Sequence, residues 1–103
     1  MDRIAKLKEL LQASPDDSFL QHALALEYMK TGEDDNARIL FETILGRDEN
    51  YIGSYYHLAK LLERMNAQTE AIAWYEKGMA RAKAMNDQHA YSELRSAYEE
   101  LVF

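Results

Sequence analysis

Cysteine is absent from the 103 residues, which removes disulfides, thiolate metal sites and a cysteine nucleophile together. Long apolar runs are missing as well. No stretch reaches the ~18 consecutive apolar residues of a bilayer span. The opening MDRIAKLKELL carries a charge every few positions, where a secretory signal holds an uninterrupted apolar core. These absences predict a cytoplasmic protein without membrane association. Cations are scarce relative to acids, 12 Lys+Arg against 18 Asp+Glu, and the formal net charge is −6. Nucleic-acid affinity rests on clustered cations, so nucleic acid is not an expected partner. Proline occurs once and glycine four times, which is little punctuation for anything but helices.

What is present agrees with that. Hydrophobic residues make up 48% and charged residues 29%, the balance of a folded domain with one modest core. Apolar residues recur at three- and four-residue spacing throughout, the period of an amphipathic helix. Ile4, Leu7, Leu10 and Leu11 make a first stripe that must end before Pro15. A second helix is expected from Asp16 or Asp17, with Leu20, Leu24 and Tyr28 inward and a break at Gly32. A third runs from about Asp34 to Leu45 through Ala37, Leu40, Phe41 and Ile44. A fourth carries Tyr55, Leu58, Leu62 and Met65. A fifth carries Ala71, Trp74, Tyr75 and Met79 and ends near MND, and a sixth carries Tyr91, Leu94, Tyr98 and Leu101.

The charges fall where helix dipoles favour them. Asp16, Asp17, Asp34, Asp35, Asp48, Glu49 and Asp87 lie near expected helix starts, and Lys30, Arg47, Arg64, Arg81 and Lys83 near expected ends. Each such placement contributes about 0.3–1 kcal/mol at an exposed site. The acidic GEDDN is explained this way. Its acids do not follow calcium-loop spacing, and no glycine occupies the sixth place of such a loop.

The pattern repeats at an offset of 34. Leu24 and Leu58, Ala25 and Ala59, Ala37 and Ala71, and Phe41 and Tyr75 are each 34 apart, and Gly32 falls against Asn66. Glycine and asparagine are the residues that most readily take left-handed turn geometry. In these positions the chain resembles the tetratricopeptide repeat (TPR) family, whose pattern places a leucine, a small residue and a tyrosine on the first helix, then an alanine and a phenylalanine on the second. Gln21 departs from it, standing where an aromatic is expected, and Glu49 and Lys83 replace the closing proline. The resemblance implies an all-α fold of about six helices, antiparallel hairpins stacked as a short right-handed superhelix. It divides residues 1–103 into an N-terminal half-repeat helix (1–14), two repeats (18–51 and 52–85) and a C-terminal capping helix (87–102). The small residues are expected to let helices approach closely, with Phe41 and Tyr75 filling the volume left over.

Such stacks commonly bind protein segments on the concave side, lined by the first helix of each repeat. Removing the core stripe from the second helix leaves Phe19, His22, Leu26 and Met29. On the fourth helix the groove candidates are Tyr56, His57, Lys60, Glu63 and Arg64. Methionine and aromatics suit adaptable binding surfaces, so the expected ligand is a peptide or protein segment with an apolar anchor and a charged flank. The alternative is that the N-terminal helix packs over Phe19 and its neighbours and closes the groove. A carboxylate clamp of the kind that grips chaperone tails is not expected. Its Lys and Asn places fall on His22 and Leu26 in the first repeat, and its second Asn on His57.

Three histidines, His22, His57 and His89, raise a metal or acid–base reading. No His-x-x-x-His pair, nucleophile or phosphate loop accompanies them. They are expected to face solvent or neighbouring tyrosines, with no metal, cofactor or catalysis. Tyr55 is expected in the core, Tyr56 towards the groove, and Tyr91 and Tyr98 under the cap. The sequence therefore predicts a non-catalytic protein-interaction scaffold. The alternative is a self-assembly module stacking through the half-repeat and the terminal LVF, a weak homo-oligomer.

Overall fold

The computed structural model describes residues 2–103, which hold six helices and no strand. They are α1 (Arg3–Ala13), α2 (Ser18–Lys30), α3 (Asp34–Arg47), α4 (Gly53–Arg64), α5 (Gln68–Ala84) and α6 (Gln88–Val102). Three aspartates start helices by accepting a backbone N–H: Asp2 from Ala5 at 2.8 Å, Asp17 from Leu20 at 3.0 Å and Asp87 from Ala90 at 3.0 Å. Three residues end them in left-handed geometry, Gly32 at φ 77°, Asn66 at 62° and Asn86 at 57°. In each case the following N–H reaches back to the third-last helical carbonyl, Glu33 to Tyr28, Ala67 to Leu62 and Asp87 to Ala82, all at 2.8 Å. This is the Schellman turn, made three times with one geometry.

Asp48 and Glu49 do not serve the start of α4, which begins only at Gly53. Asp48 is the C-cap of α3, and the linker after it turns on itself, Asp48 Oδ1 accepting the Asn50 N–H at 3.1 Å. No acid stands in the first turn of α4.

Hairpins α2–α3, α4–α5 and α5–α6 pack antiparallel, and α1 lies against α2 as α3 lies against α4. The four repeat alanines, Ala25, Ala37, Ala59 and Ala71, are fully buried, as are Phe41 and Tyr75 beside them. Burying side chains the size of Phe41, Ile44, Leu58, Leu61 or Leu62 contributes about 1.5–3 kcal/mol each, which is why these positions hold the stack together. Buried Gln21 takes the aromatic's place through hydrogen bonds: its Nε2 donates to the Pro15 carbonyl at 3.0 Å and its Oε1 accepts from Arg47 at 2.9 Å. Tyr55, inside the core, satisfies its hydroxyl by donating to the Glu49 carbonyl at 2.6 Å.

Arginines 34 apart repeat one brace. Arg47 reaches back to Asp16 and Ser18 before and at the start of α2, and Arg81 to Glu49 and Asn50 before α4. Exposed pairs of this kind contribute little stability individually. Each ties the second helix of a repeat to the segment that leads into its first.

Candidate interaction groove

One side of α2 is left uncovered by the described residues. A groove of about 660 Å³ runs along it, lined by Phe19, His22, Ala23, Leu26, Glu27, Met29 and Lys30, with Arg3 of α1 on one rim and Arg64 of α4 on the other. α1 leaves Phe19 open, 71% exposed, while Leu26 and Met29 beside it are half-buried. What α1 contributes instead is Arg3, whose Nε lies 2.6 Å from Glu27 Oε1; Lys30 reaches the same carboxylate oxygen at 3.4 Å.

Of the nine residues singled out by sequence, the structure gathers Phe19, His22, Leu26, Met29 and Arg64 around this groove. Tyr56, His57, Lys60 and Glu63 continue the same side along α4 and do not line it. Glu63 accepts a hydrogen bond from the Tyr75 hydroxyl and lies 3.8 Å from Lys60 Nζ. Burial and the Glu63 carboxylate hold the Tyr75 phenol well above its ordinary range. Arg64 is engaged as well, donating to the Met29 carbonyl at 3.0 Å and pairing with Asp34. Arg3, Ala23, Glu27 and Lys30 were not singled out by sequence. Arg3, Glu27 and Lys30 read as charges on helix surfaces and Ala23 as a small helix former, and only the placement of α1 beside α2 brings Arg3 to Glu27.

Two of the histidines stand beside tyrosines, as one half of the expectation had it: the His22 ring lies 5.7 Å from that of Tyr51, and the His57 ring 5.6 Å from that of Tyr56. His22 and His57 are half-buried with ring centroids 5.4 Å apart, and both stand against Phe41, at 5.5 and 6.3 Å. His22 Nδ1 shares a 2.8 Å hydrogen bond with the fully buried Ser54 hydroxyl. Burial, reinforced by the neighbouring His57, pushes the His22 imidazole down to about 4. His57 is lowered too, again by burial, with Glu93 of α6 opposing the shift. Both rings are therefore neutral at pH 7 and serve as packing between α2 and α4. What the sequence does not state is their contact with each other and with Phe41, which follows from how close the adjacent first helices lie. His89 stands apart, exposed on α6, and no group of three or more His, Cys, Asp and Glu able to hold a metal occurs among the described residues.

The tetratricopeptide repeat family model matches residues 20–51 and 52–84. This chain belongs to the tetratricopeptide repeat family. A tetratricopeptide repeat domain protein of Salinibacter ruber is similar over most of its length. Its solution structure matches at a TM-score of 0.82 and 38% identity, covering 85% of this chain and 89% of that one. A crystal structure from the same organism matches at 0.78 and 38%, covering 82% and 94%. A Bordetella parapertussis protein shares the fold at a TM-score of 0.85 and 24% identity, covering 98% of this chain and 88% of its own. Human aspartyl/asparaginyl beta-hydroxylase is 29% identical over 73 residues. That match spans 71% of this chain but 10% of the hydroxylase, so the likeness concerns a segment of the larger protein. No helix among the described residues is long and apolar enough to cross a membrane.

Proposed function

We propose that this TPR chain is a non-catalytic interaction module that binds a segment of another protein in the groove along α2. TPR repeats generally mediate protein–protein interaction, and the observation that carries the reading here is Phe19. An aromatic 71% exposed, beside Leu26 and Met29 in one open groove, contributes nothing to the core. Aromatics in such settings act as binding anchors. The basic rim suits a ligand with an apolar anchor and an acidic flank. Tyr56 and Lys60 extend the surface along α4.

Self-assembly by end-to-end stacking is less well supported. Where the interior first helices carry the close-packing alanines Ala25 and Ala59, the last helix carries arginine: Arg95 stands one residue after the buried Leu94, as Ala59 follows Leu58. A guanidinium at a helix–helix closest approach obstructs continuation of the stack.

Site-specific photocrosslinking tests the proposal. A benzophenone side chain at Leu26 is expected to capture a protein adduct that Phe19→Glu removes. The same group at Ile39, 60% exposed on α3, is expected to capture none. Equal capture from both positions, or capture unaffected by Phe19→Glu, counts against the groove.

A further inference from the structure

The chain contains its own example of what the open face of α2 accommodates. Residues 34 apart occupy equivalent places on α2 and α4, so Phe19, Ala23, Glu27 and Lys30 correspond to Gly53, His57, Leu61 and Arg64. On α4 this face is occupied by α2. Near the start of both helices His22 meets Ser54 and His57, and at their ends Arg64 donates to the Met29 carbonyl and pairs with Asp34. The two helices therefore run parallel. Leu61, between these contacts, is fully buried. The equivalent face of α2 has no helix on it among the described residues, and its Phe19, Ala23, Glu27 and Lys30 line the groove together with His22, Leu26 and Met29.

We infer that this face is the seat of an amphipathic helix from another protein, laid parallel to α2 as α2 lies on α4, with a carboxylate just past its C-terminus. The inference rests on reading the groove as a protein-binding site and names the form and charge of what binds. Lys30 is the counterpart of Arg64. Arg64 holds the Met29 carbonyl in the last turn of α2 and Asp34 beyond its end, so Lys30 is placed to hold the same groups of an incoming helix. Cations suit a helix C-terminus because unsatisfied carbonyls and the dipole converge there. The rim carries a local excess of positive charge, Arg3, Lys30 and Arg64 against Glu27 in the lining and Asp34 beside Arg64, on a chain whose net charge is −6. An acidic partner is selected by that contrast. Glu27 retains Arg3 when Lys30 turns to the ligand.

Phe19 sets the fit at the other end. Its counterpart Gly53 leaves room for His22, which lies 3.9 Å from where a Cβ on Gly53 would stand. With Phe19 in that place the incoming helix must present a small residue, and the ring then covers it.

A synthetic peptide of residues 17–35 carrying His22→Ala meets these requirements, since it is the helix that α4 already holds, with Asp34 after its end and the needed small residue. Titrated into the isotope-labelled 103-residue protein, it is expected to shift the amides of Phe19, Ala23, Leu26 and Lys30. Lys30→Glu in the protein, or Asp34→Lys in the peptide, is expected to weaken binding about tenfold. Combining the two reversed charges is expected to restore it. A second peptide with Ala25→Pro keeps every charge and apolar contact residue but cannot continue the helix, and weak or absent binding by it is expected. Equal binding by the proline peptide in the groove overturns the helical seat while leaving the broader interaction reading in place. Shifts centred on α4–α6, no shifts with either peptide, or failure of the charge reversal to rescue overturn the inference outright, and the photocrosslinking at Leu26 then judges the broader reading separately.

Discussion

Gly78 of α5 and Tyr55 of α4 lie so close that a Cβ built on the glycine falls 2.7 Å from the tyrosine Cβ and 3.0 Å from Leu94 Cδ1. The first of these atoms is fixed to the backbone, so the neighbour cannot yield by changing rotamer. Gly78 is where α4, α5 and α6 meet, and its lack of a side chain leaves room for Tyr55 and Leu94 against α5. In a helix interior alanine is favoured over glycine by about 1 kcal/mol, but overpacking costs about 1–3 kcal/mol. The clash wins. Gly78→Ala is expected to lower the free energy of unfolding by about 1–2 kcal/mol, measured by urea denaturation. Gly46→Ala on α3, where a Cβ meets nothing within 4 Å, is expected to be neutral or stabilising by a few tenths. Equal effects at both glycines would mean that α4 and α5 do not approach as described.

Ala59→Leu applies the same reasoning to a residue that the repeat pattern identifies. Ala59 is fully buried in α4 at the place where the small residue of each repeat recurs. Three added carbons have no room without separating helices, and a loss of about 1–3 kcal/mol or more is expected. Leu10→Ala is the contrast, because Leu10 is 41% exposed on α1. Its loss is expected to stay below that of a buried leucine, which costs about 2–5 kcal/mol.

The two half-buried histidines make stability depend on pH. The His22 imidazole titrates near 4 in the folded chain against an ordinary 6.5, so between these values the unfolded chain binds the proton and the folded chain does not. Stability is therefore complete above about pH 6.5 and declines as pH falls towards 4. His57, lowered in the same direction, adds to the decline. With the exposure of His22 discounting the full shift, a loss of about 1–2 kcal/mol between pH 7 and 4.5 is expected from it. Carboxylates titrate in the lower part of that range, so the check is a difference. Denaturation of His22→Gln across the same pH series should show a flatter profile than the native sequence. Parallel profiles would mean that the ring is solvated in the folded chain.

How far the sequence carried these conclusions varied with the kind of contact. Helix positions and hairpin turns were legible because they depend on local period and turn chemistry: Gly32 and Asn66 signalled the left-handed turns they make. Asn86 does the same without a repeat partner at 34, and its turn was placed only approximately, near MND. Phe19, Leu26 and Met29 stood out because a core stripe accounted for the rest of α2 and left them without a task. Gly78 was invisible, since a glycine within a helical pattern reads as weak propensity until its three-helix crossing is known. Ser54 was invisible for a similar reason. A small polar residue in SYYHLAK gives no sign that it will be fully buried against a histidine 32 positions earlier. Arg3 and Glu27 belong to one rim only because α1 folds back on α2.

Phe19→Glu separates scaffold from surface most directly. A ring that is 71% exposed contributes little to folding, and surface substitutions of this kind usually change stability by about 0.5 kcal/mol or less. The change places an acid close to the start of α2, where the helix dipole tolerates or favours it. Unfolding free energy is therefore expected to remain within that margin of the native value. Binding responds differently, because a carboxylate in place of the ring removes the apolar anchor and repels an acidic ligand, and a loss of at least about 2 kcal/mol of affinity is expected for an anchor aromatic. Phe41→Ala gives the opposite pattern. Phe41 is fully buried against both histidines, and its removal should cost about 3–5 kcal/mol of stability. Denaturation curves and ligand titrations on the two variants measure both quantities. If Phe19→Glu unfolds the chain as Phe41→Ala does, the ring belongs to the core; if it leaves affinity unchanged, the binding surface lies elsewhere on the molecule.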